Sequence, residues 1–335
     1  MKNRISQVAA FADVSEVTVR RVLNGSPVVA PATRDRVLRA LDVLGFDRPA
    51  SGRTGRAPLI GIVVPDLQNP VFPAFAEALA GRLNKRGLVP VLCTRTADGV
   101  SEANYVEMLL SQNVGGIVFI GSSYADAGEA QGKALRDQGV PIVLINAADE
   151  MPGAVQVRAD DARAVERALS HLAALGHERI GLLIGPVGHV PSAYKLSGFA
   201  AFWQARGVPS EVWRPLVVPS LFSVAGGAGA VPGLLRAGAT AVVCASDALA
   251  LGVIRGVRRA GLDVPKDLSV VGFDDSAFMG AVDPPLTTAR QPVAAMAEAA
   301  VDALMMQVRG HVVADAPMYF ETELIVRGST AARSR

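Results

Sequence analysis

Residues 14–25 read VSEVTVRRVLNG, and their side-chain types could read a base pair. Arginine can donate two parallel hydrogen bonds to guanine, glutamate can accept one from the cytosine amine, and valine can touch a thymine methyl. At helical spacing Val14, Val19, Val22 and Leu23 share one side, which leaves Glu16, Val17, Arg20, Arg21 and Asn24 on the other. Glu16, Val17 and Arg21 are the candidates for base edges. Thr18, Asn24 and Thr33 are short polar groups suited to phosphate oxygens, which fix register rather than sequence. Arg20 adds a cation to the same face, with the alternative that it only pairs with Glu16 one turn back.

A second set of polar residues follows apolar runs further along the chain. Asp66, Asn69, Phe72 and Phe75 come after LIGIVV, Arg95 after VPVLCT, Ser122 after GGIVFIG and Asn146 at the end of PIVLIN. Asp160-Asp161 follows VQVRA, Lys195 and Phe199 follow RIGLLIG, and Phe222 follows PLVVP. Ser246-Asp247 closes TAVVCAS, and Asp274-Asp275 closes LSVVGF. Carboxylates, amides and a few flat rings suit a polyhydroxylated ligand, because hydroxyls take paired hydrogen bonds and a sugar's apolar face stacks on an aromatic ring. Asp161 and Asp247 read instead as caps of the helices that begin after them. His177, just past Gly176, reads as a structural residue at a helix end.

Two kinds of scaffold must position these groups. In the first 47 residues, Ile5, Val8 and Ala9 mark a first helix of about two turns, entered through Ser6. Ser15 caps a second, and a third runs from Pro31 through Val37, Leu38, Leu41 and Leu44 to Gly45. Three short helices with a tight first turn form a helix-turn-helix pattern, whose second helix enters the major groove. From residue 59 on, eight apolar runs alternate with helix-period sequence, the βαβ pattern of a parallel sheet covered on both faces. Eight strands over that length imply two doubly wound lobes, with ligands held outside the carboxyl ends of the strands.

Charge follows the same division. Residues 1–58 carry ten Lys/Arg against five acids, a net +5 in a chain whose total is +2, so the remainder carries −3. A basic head on a mildly acidic body points to a polyanionic partner for the head alone. Residues 48–58, RPASGRTGRAP, form a linker in which Arg53 and Arg56 could lie along a narrow minor groove; the alternative is a tether without ordered contacts.

Other classes find little support. GEAQGKA at 128–134 is one spacer short of a phosphate-binding P-loop and has Ala134 where magnesium needs a hydroxyl. No Gly-x-Ser-x-Gly elbow exists, the four histidines are scattered, and Cys93 and Cys244 lie in apolar runs as buried small hydrophobes. No enzymatic activity, cofactor or metal is therefore expected. With no leader and no membrane-spanning run, a soluble cytoplasmic protein is expected.

VAAFADVSEVTVRRVLNGSPVVAPATRDRVLRALDVLGF resembles the DNA-binding head of the LacI/GalR family of bacterial repressors, with Asp13 where glycine is common and Arg20 where serine is common. LGHERIGLLIGP, CASDALALGVIR, VPKDLSVVGFDDS and PPLTTARQP resemble that family's effector-binding body, so the likeness spans nearly the whole chain. It implies a body like that of periplasmic sugar-binding proteins, with one lobe from 59–159 plus 290–318 and another from 160–289 plus 319–335, joined by three crossovers. By position it makes Glu16 and Val17 the leading base readers and Arg21 the third. It also places Asn146, Lys195, Phe222, Ser246 and Asp274 against the effector. Lys195 stands where arginine is usual and Ser246 where asparagine is common. The family's linker wedges a leucine into the minor groove; this linker has none before Leu59.

The resulting expectation is a repressor that binds a pseudopalindromic double-stranded operator as a homodimer and is controlled by a small molecule, a sugar or oligosaccharide. The chain closes soon after LIVRG without heptads, so no tetramer is expected. The rivals are a sugar-binding protein that does not touch DNA, and a repressor of the same fold with a nucleobase or phosphorylated effector.

Overall fold

A computed structural model describes residues 2–23, 29–44, 58–94, 102–121, 139–147, 154–311, 313 and 316–333. The chain divides into two compact units, one built on the first 59 residues and one on almost all of the remainder.

The head contains α1 (Lys2–Ala12), α2 (Glu16–Leu23) and α3 (Pro31–Val43). Val8, Ala9 and Ala12 of α1, Val19 and Val22 of α2, and Val37, Ala40 and Leu41 of α3 form its buried core. α1 is longer than the apolar pattern indicated. The polar residues ahead of Ile5 carry no periodicity, yet nothing there breaks a helix. The α1–α2 turn is tight because Asp13 takes a left-handed backbone, φ 52°, and the Val14 N–H returns to the Ala9 carbonyl at 3.0 Å. That is the geometry in which helices usually end on glycine. Ser15 then caps α2, its Oγ accepting from the Thr18 N–H at 3.1 Å.

The body holds two six-stranded sheets. In the first, β1 (Leu59–Val64), β2 (Val89–Thr94), β3 (Gly116–Ile120), β4 (Ile142–Ile145), β5 (Val155–Ala159) and β11 (Met318–Phe320) lie in the order β11-β5-β4-β3-β1-β2. In the second, β6 (Ile180–Ile184), β7 (Val217–Pro219), β8 (Ala241–Cys244), β9 (Ser269–Asp274), β10 (Thr287–Arg290) and β12 (Glu323–Ile325) lie in the order β12-β10-β9-β8-β6-β7. Pairing is parallel at β9–β10, β8–β9 and β6–β8, while β12 joins β10 antiparallel. Both sheets are doubly wound α/β layers, and their central strands are buried almost throughout.

Eight of these strands coincide with the apolar runs; β5, β10, β11 and β12 are additional. Apolar content hides them because they are three to five residues long or carry polar side chains. Thr287 and Thr288 of β10 are fully buried and satisfied: the Arg327 N–H donates to Thr287 Oγ1 at 2.9 Å, and Thr288 Oγ1 donates to Asp247 at 2.6 Å. The chain crosses between the sheets after β5, after β10 and after β11. Arg290 belongs by pairing to the second sheet, one residue beyond the expected border, and Tyr319 and Phe320 of β11 belong to the first, two residues beyond the other. Cys93 and Cys244 are buried and free. No helix among the described residues is long and apolar enough to cross a membrane.

Candidate functional site

On α2, Val19 and Val22 face the head's core, whereas Glu16, Val17, Arg20 and Arg21 are exposed, Val17 by 57%. At about 100° per residue these four span one face roughly 140° wide. The exposed valine contributes no burial to the head's core, and the two arginines keep their charges in water. Among the described residues, Arg20 and Arg21 have neither an ion pair nor a hydrogen bond. The surface pair between Glu16 and Arg20 is not formed; the Glu16 carboxylate instead accepts from the Ser6 hydroxyl of α1. Thr18 is half-buried with its hydroxyl 2.9 Å from Ser15 Oγ, inside the cap, and Thr33 is half-buried in the first turn of α3. Asn24, Arg53 and Arg56 lie outside the described residues.

In the body, a cleft of about 460 Å³ opens at the carboxyl ends of the strands. Of the sequence candidates it is lined by Asp66, Asn69, Phe72, Asn146, Lys195, Phe222, Ser246 and Asp274. Arg95 and Ser122 lie outside the described residues. Asp160 is not in the cleft: its carboxylate caps the helix Asp161–Ala174, accepting from the Arg163 N–H at 3.0 Å. Phe199 is also absent, fully buried in the core edge-on to Trp203 and Trp213.

Asp160 and Asp161 exchange the roles the sequence implied, while in the second doublet the cap passes from Asp247 to Ser246, which still lines the cleft. Asp161, expected as a cap, is buried in the cleft wall. Its Oδ1 lies 2.5 Å from Lys195 Nζ of the helix Val190–Gln204. Gly198 permits this approach, since a Cβ there would run into the Ala162 carbonyl oxygen. Burial pushes the Asp161 carboxyl up while Lys195 pulls it back. Lys195 also lies 3.7 Å from the centre of the Phe273 ring. At the other doublet, Ser246 is the cap, accepting from the Leu249 N–H at 3.2 Å. Asp247 lies behind it, bound by Thr288 Oγ1 at 2.6 Å and the Ser276 N–H at 2.7 Å, and burial raises it to about 6.

Asp274 and Asp275 part company. Both have left-handed backbones, φ 112° and 52°, so consecutive side chains point apart. Asp275 turns to Arg290 at 2.8 Å and Arg327 at 2.6 Å, and these guanidinium groups hold it low against its burial. Asp274 enters the cleft, where burial and the neighbouring Asp247 charge push its carboxyl well above the usual range. Its Oδ1 accepts from Gln291 Nε2 at 2.6 Å, Gln291 Oε1 accepts from Asn146 Nδ2 at 2.8 Å, and Asn146 Oδ1 accepts from the Ala159 N–H at 2.8 Å. Asp66 accepts from the Gln68 and Asn69 N–H groups at 2.8 and 2.9 Å, shaping the turn into the helix Val71–Lys85. His177 bridges Thr240 and the Ala331 carbonyl, as a structural residue should.

Gln291 and His189 line the cleft and were not among the sequence candidates, although Gln291 lies inside PPLTTARQP. Gln291 follows TTAR, too polar to stand out as a strand. His189 ends the short loop after RIGLLIG, inside the window where ligand groups fall, and the longer reach to Lys195 passes over it. Its ring lies 4.9 Å from Phe222, tilted by 58°, and burial beside Lys195 lowers it to about 4.

A three-helix head with a helix-turn-helix, joined to a two-lobed body with a polar cleft at its strand ends, defines a ligand-responsive DNA-binding regulator. The chain belongs to the lacI family of bacterial regulatory proteins. Residues 4–48 match that family's model, and residues 169–330 match the periplasmic binding protein-like domain. The HTH-type transcriptional regulator MalR of Streptomyces coelicolor is 46% identical over 336 residues, covering 99% of this chain and 98% of that one. The transcriptional regulator CelR–cellobiose complex superposes with a TM-score of 0.72 at 30% identity, over 97% of this chain and 99% of that one. The lac repressor dimer bound to operator and the anti-inducer ONPF does so with a TM-score of 0.77 at 27% identity, over 97% and 98%.

Proposed function

We propose that this regulator is a homodimeric repressor of the cytoplasm whose paired heads read a pseudopalindromic operator. Residues 1–47 are the reader, 48–58 the tether and 59–335 the sensor, divided into lobes of 59–159 with 291–320 and 160–290 with 321–335. Glu16, Val17 and Arg21 meet base edges, with Arg20, Thr18, Asn24 and Thr33 at or near phosphates and Arg53 and Arg56 at the minor groove. The effector is a sugar or oligosaccharide held by Asp66, Asn69, Asn146, Ser246 and Asp274 between the rings of Phe72 and Phe222; Arg95 and Ser122 complete the proposed set. The activity is binding and release, without a chemical step.

One observation carries the reading: the same chain exposes on α2 two arginines without a partner among the described residues, and encloses carboxylates, amides and aromatic rings in a cleft. The cellobiose bound in the CelR relative and the operator bound by the lac repressor dimer support it. The ligand acts through unequal affinity for two arrangements of the lobes. The test selects duplexes from a random pool with the full-length protein. It then screens sugars and nucleobases by thermal shift, with and without the selected duplex. Failure to enrich any sequence overturns the DNA reading, and a nucleobase hit without a sugar hit overturns the effector.

A further inference from the structure

We propose that the cleft accepts only an uncharged ligand and rejects its phosphorylated form, and that the Lys195–Asp161 pair is the element that enforces this. The inference rests on reading the cleft as the effector site and narrows the chemistry of what enters. Lys195 is the sole Lys or Arg among the described lining residues, and it is already matched. Its ammonium lies 2.5 Å from Asp161 Oδ1, with only 5% and 7% of the two side chains exposed, and it is seated on the Phe273 ring. In a buried pair with that geometry a second anion must compete with Asp161 for the ammonium. An ammonium has three N–H donors, so Lys195 can still offer a hydrogen bond to a neutral hydroxyl while its charge is taken.

The remaining groups in the wall act in the same direction. His189 is neutral at physiological pH, lowered to about 4. Asp66 is held on the Gln68 and Asn69 N–H groups, and Asp274, which burial pushes toward its neutral form, has Lys195 as the one Lys or Arg of the described wall near it. Among the described lining residues an entering phosphate would meet the Asp66 carboxylate and a lysine already matched by Asp161, with no further Lys or Arg to compensate it. A polyol meets acceptors for its hydroxyls instead. The sensed species is then one that has not passed through phosphoryl transfer, such as a product of glycoside hydrolysis.

The test uses the full-length protein by calorimetry and thermal shift. The probes are maltose, cellobiose, cytidine and adenosine, each beside its phosphorylated form, and inorganic phosphate at constant ionic strength. The wild type should bind a neutral member at least about tenfold more tightly than its phosphorylated partner and show no saturable response to inorganic phosphate. Asp161→Asn, which frees the ammonium, should narrow that ratio and gain a response to phosphate. A phosphorylated member binding the wild type as tightly as its neutral partner overturns the inference and leaves the sugar reading intact. A preference for a neutral nucleoside over every sugar supports the inference and overturns the sugar reading. If no organic probe binds, inorganic phosphate decides: saturable binding lost in Lys195→Met overturns the proposal, and no binding by wild type with a gain in Asp161→Asn supports it. Should Asp161→Asn fail to fold, the wild-type comparisons alone decide.

Discussion

Gln291 Nε2 donates to Asp274 Oδ1 at 2.6 Å, and the same glutamine's oxygen accepts from Asn146 at 2.8 Å. The three side chains come from the ends of β10, β9 and β4, so one amide ties the second sheet to the first. The Asp274 carboxylate is therefore both a cleft group and an anchor between lobes. A ligand hydroxyl that draws on it competes with the tie.

Asp274→Ala should abolish the effector response, and because it also removes the tie to Gln291 it should shift effector-free operator binding in the direction in which the effector shifts it. Fluorescence anisotropy with a labelled operator, titrated with effector, measures both. A normal response removes Asp274 from the ligand's contacts.

Arg21→Ala should cost about 1–3 kcal/mol of discrimination between operator and random duplex, with a smaller loss on random DNA. Equal losses on both, with a shallower salt dependence, would reassign Arg21 to phosphate contact.

The left-handed turn at Asp13 tolerates some residues and not others. Asp13→Val places a β-branched side chain at φ 52° and should destabilise the head by about 1–2 kcal/mol, whereas Asp13→Gly should be neutral or stabilising. Hydrogen exchange of the α1 and α2 amides reports the difference. Identical protection in the two variants would deny the turn its strain.

His189 gives stability a pH dependence of definite sign. Its folded value is about 4 against an ordinary 6.5, so between these pH values the unfolded chain holds a proton that the folded chain lacks. The stability from keeping it neutral is full above pH 6.5 and is lost as pH falls toward 4, up to a few kcal/mol. Urea midpoints should therefore fall further between about pH 7 and about pH 4.5 for wild type than for His189→Gln. Parallel losses would mean the ring titrates normally.

Legibility differed between the two units. The head could be read almost completely because local rules govern it: a serine cap, a period of apolar residues, a proline start. Even the departure at Asp13 had a local meaning, since aspartate is among the few residues that tolerate a left-handed turn. In the body, the apolar runs gave the central strands and thereby most of the cleft. The edge strands β11 and β12 and the polar strand β10 were hidden, because three or four residues with hydroxyls or charges carry no periodicity.

The order of residues alone determined the kind of protein this is, the helix that faces outward and the strand ends at which a ligand must lie. The backbone periods and breakers that decide those features act within a few residues. Which of Asp160 and Asp161 enters the cleft was decided only in three dimensions. Asp160 and Asp161 are adjacent and chemically identical, yet one caps a helix and the other neutralises a lysine 34 residues away. Such a choice depends on which side chain the packed helices leave out of water and what charge it finds there.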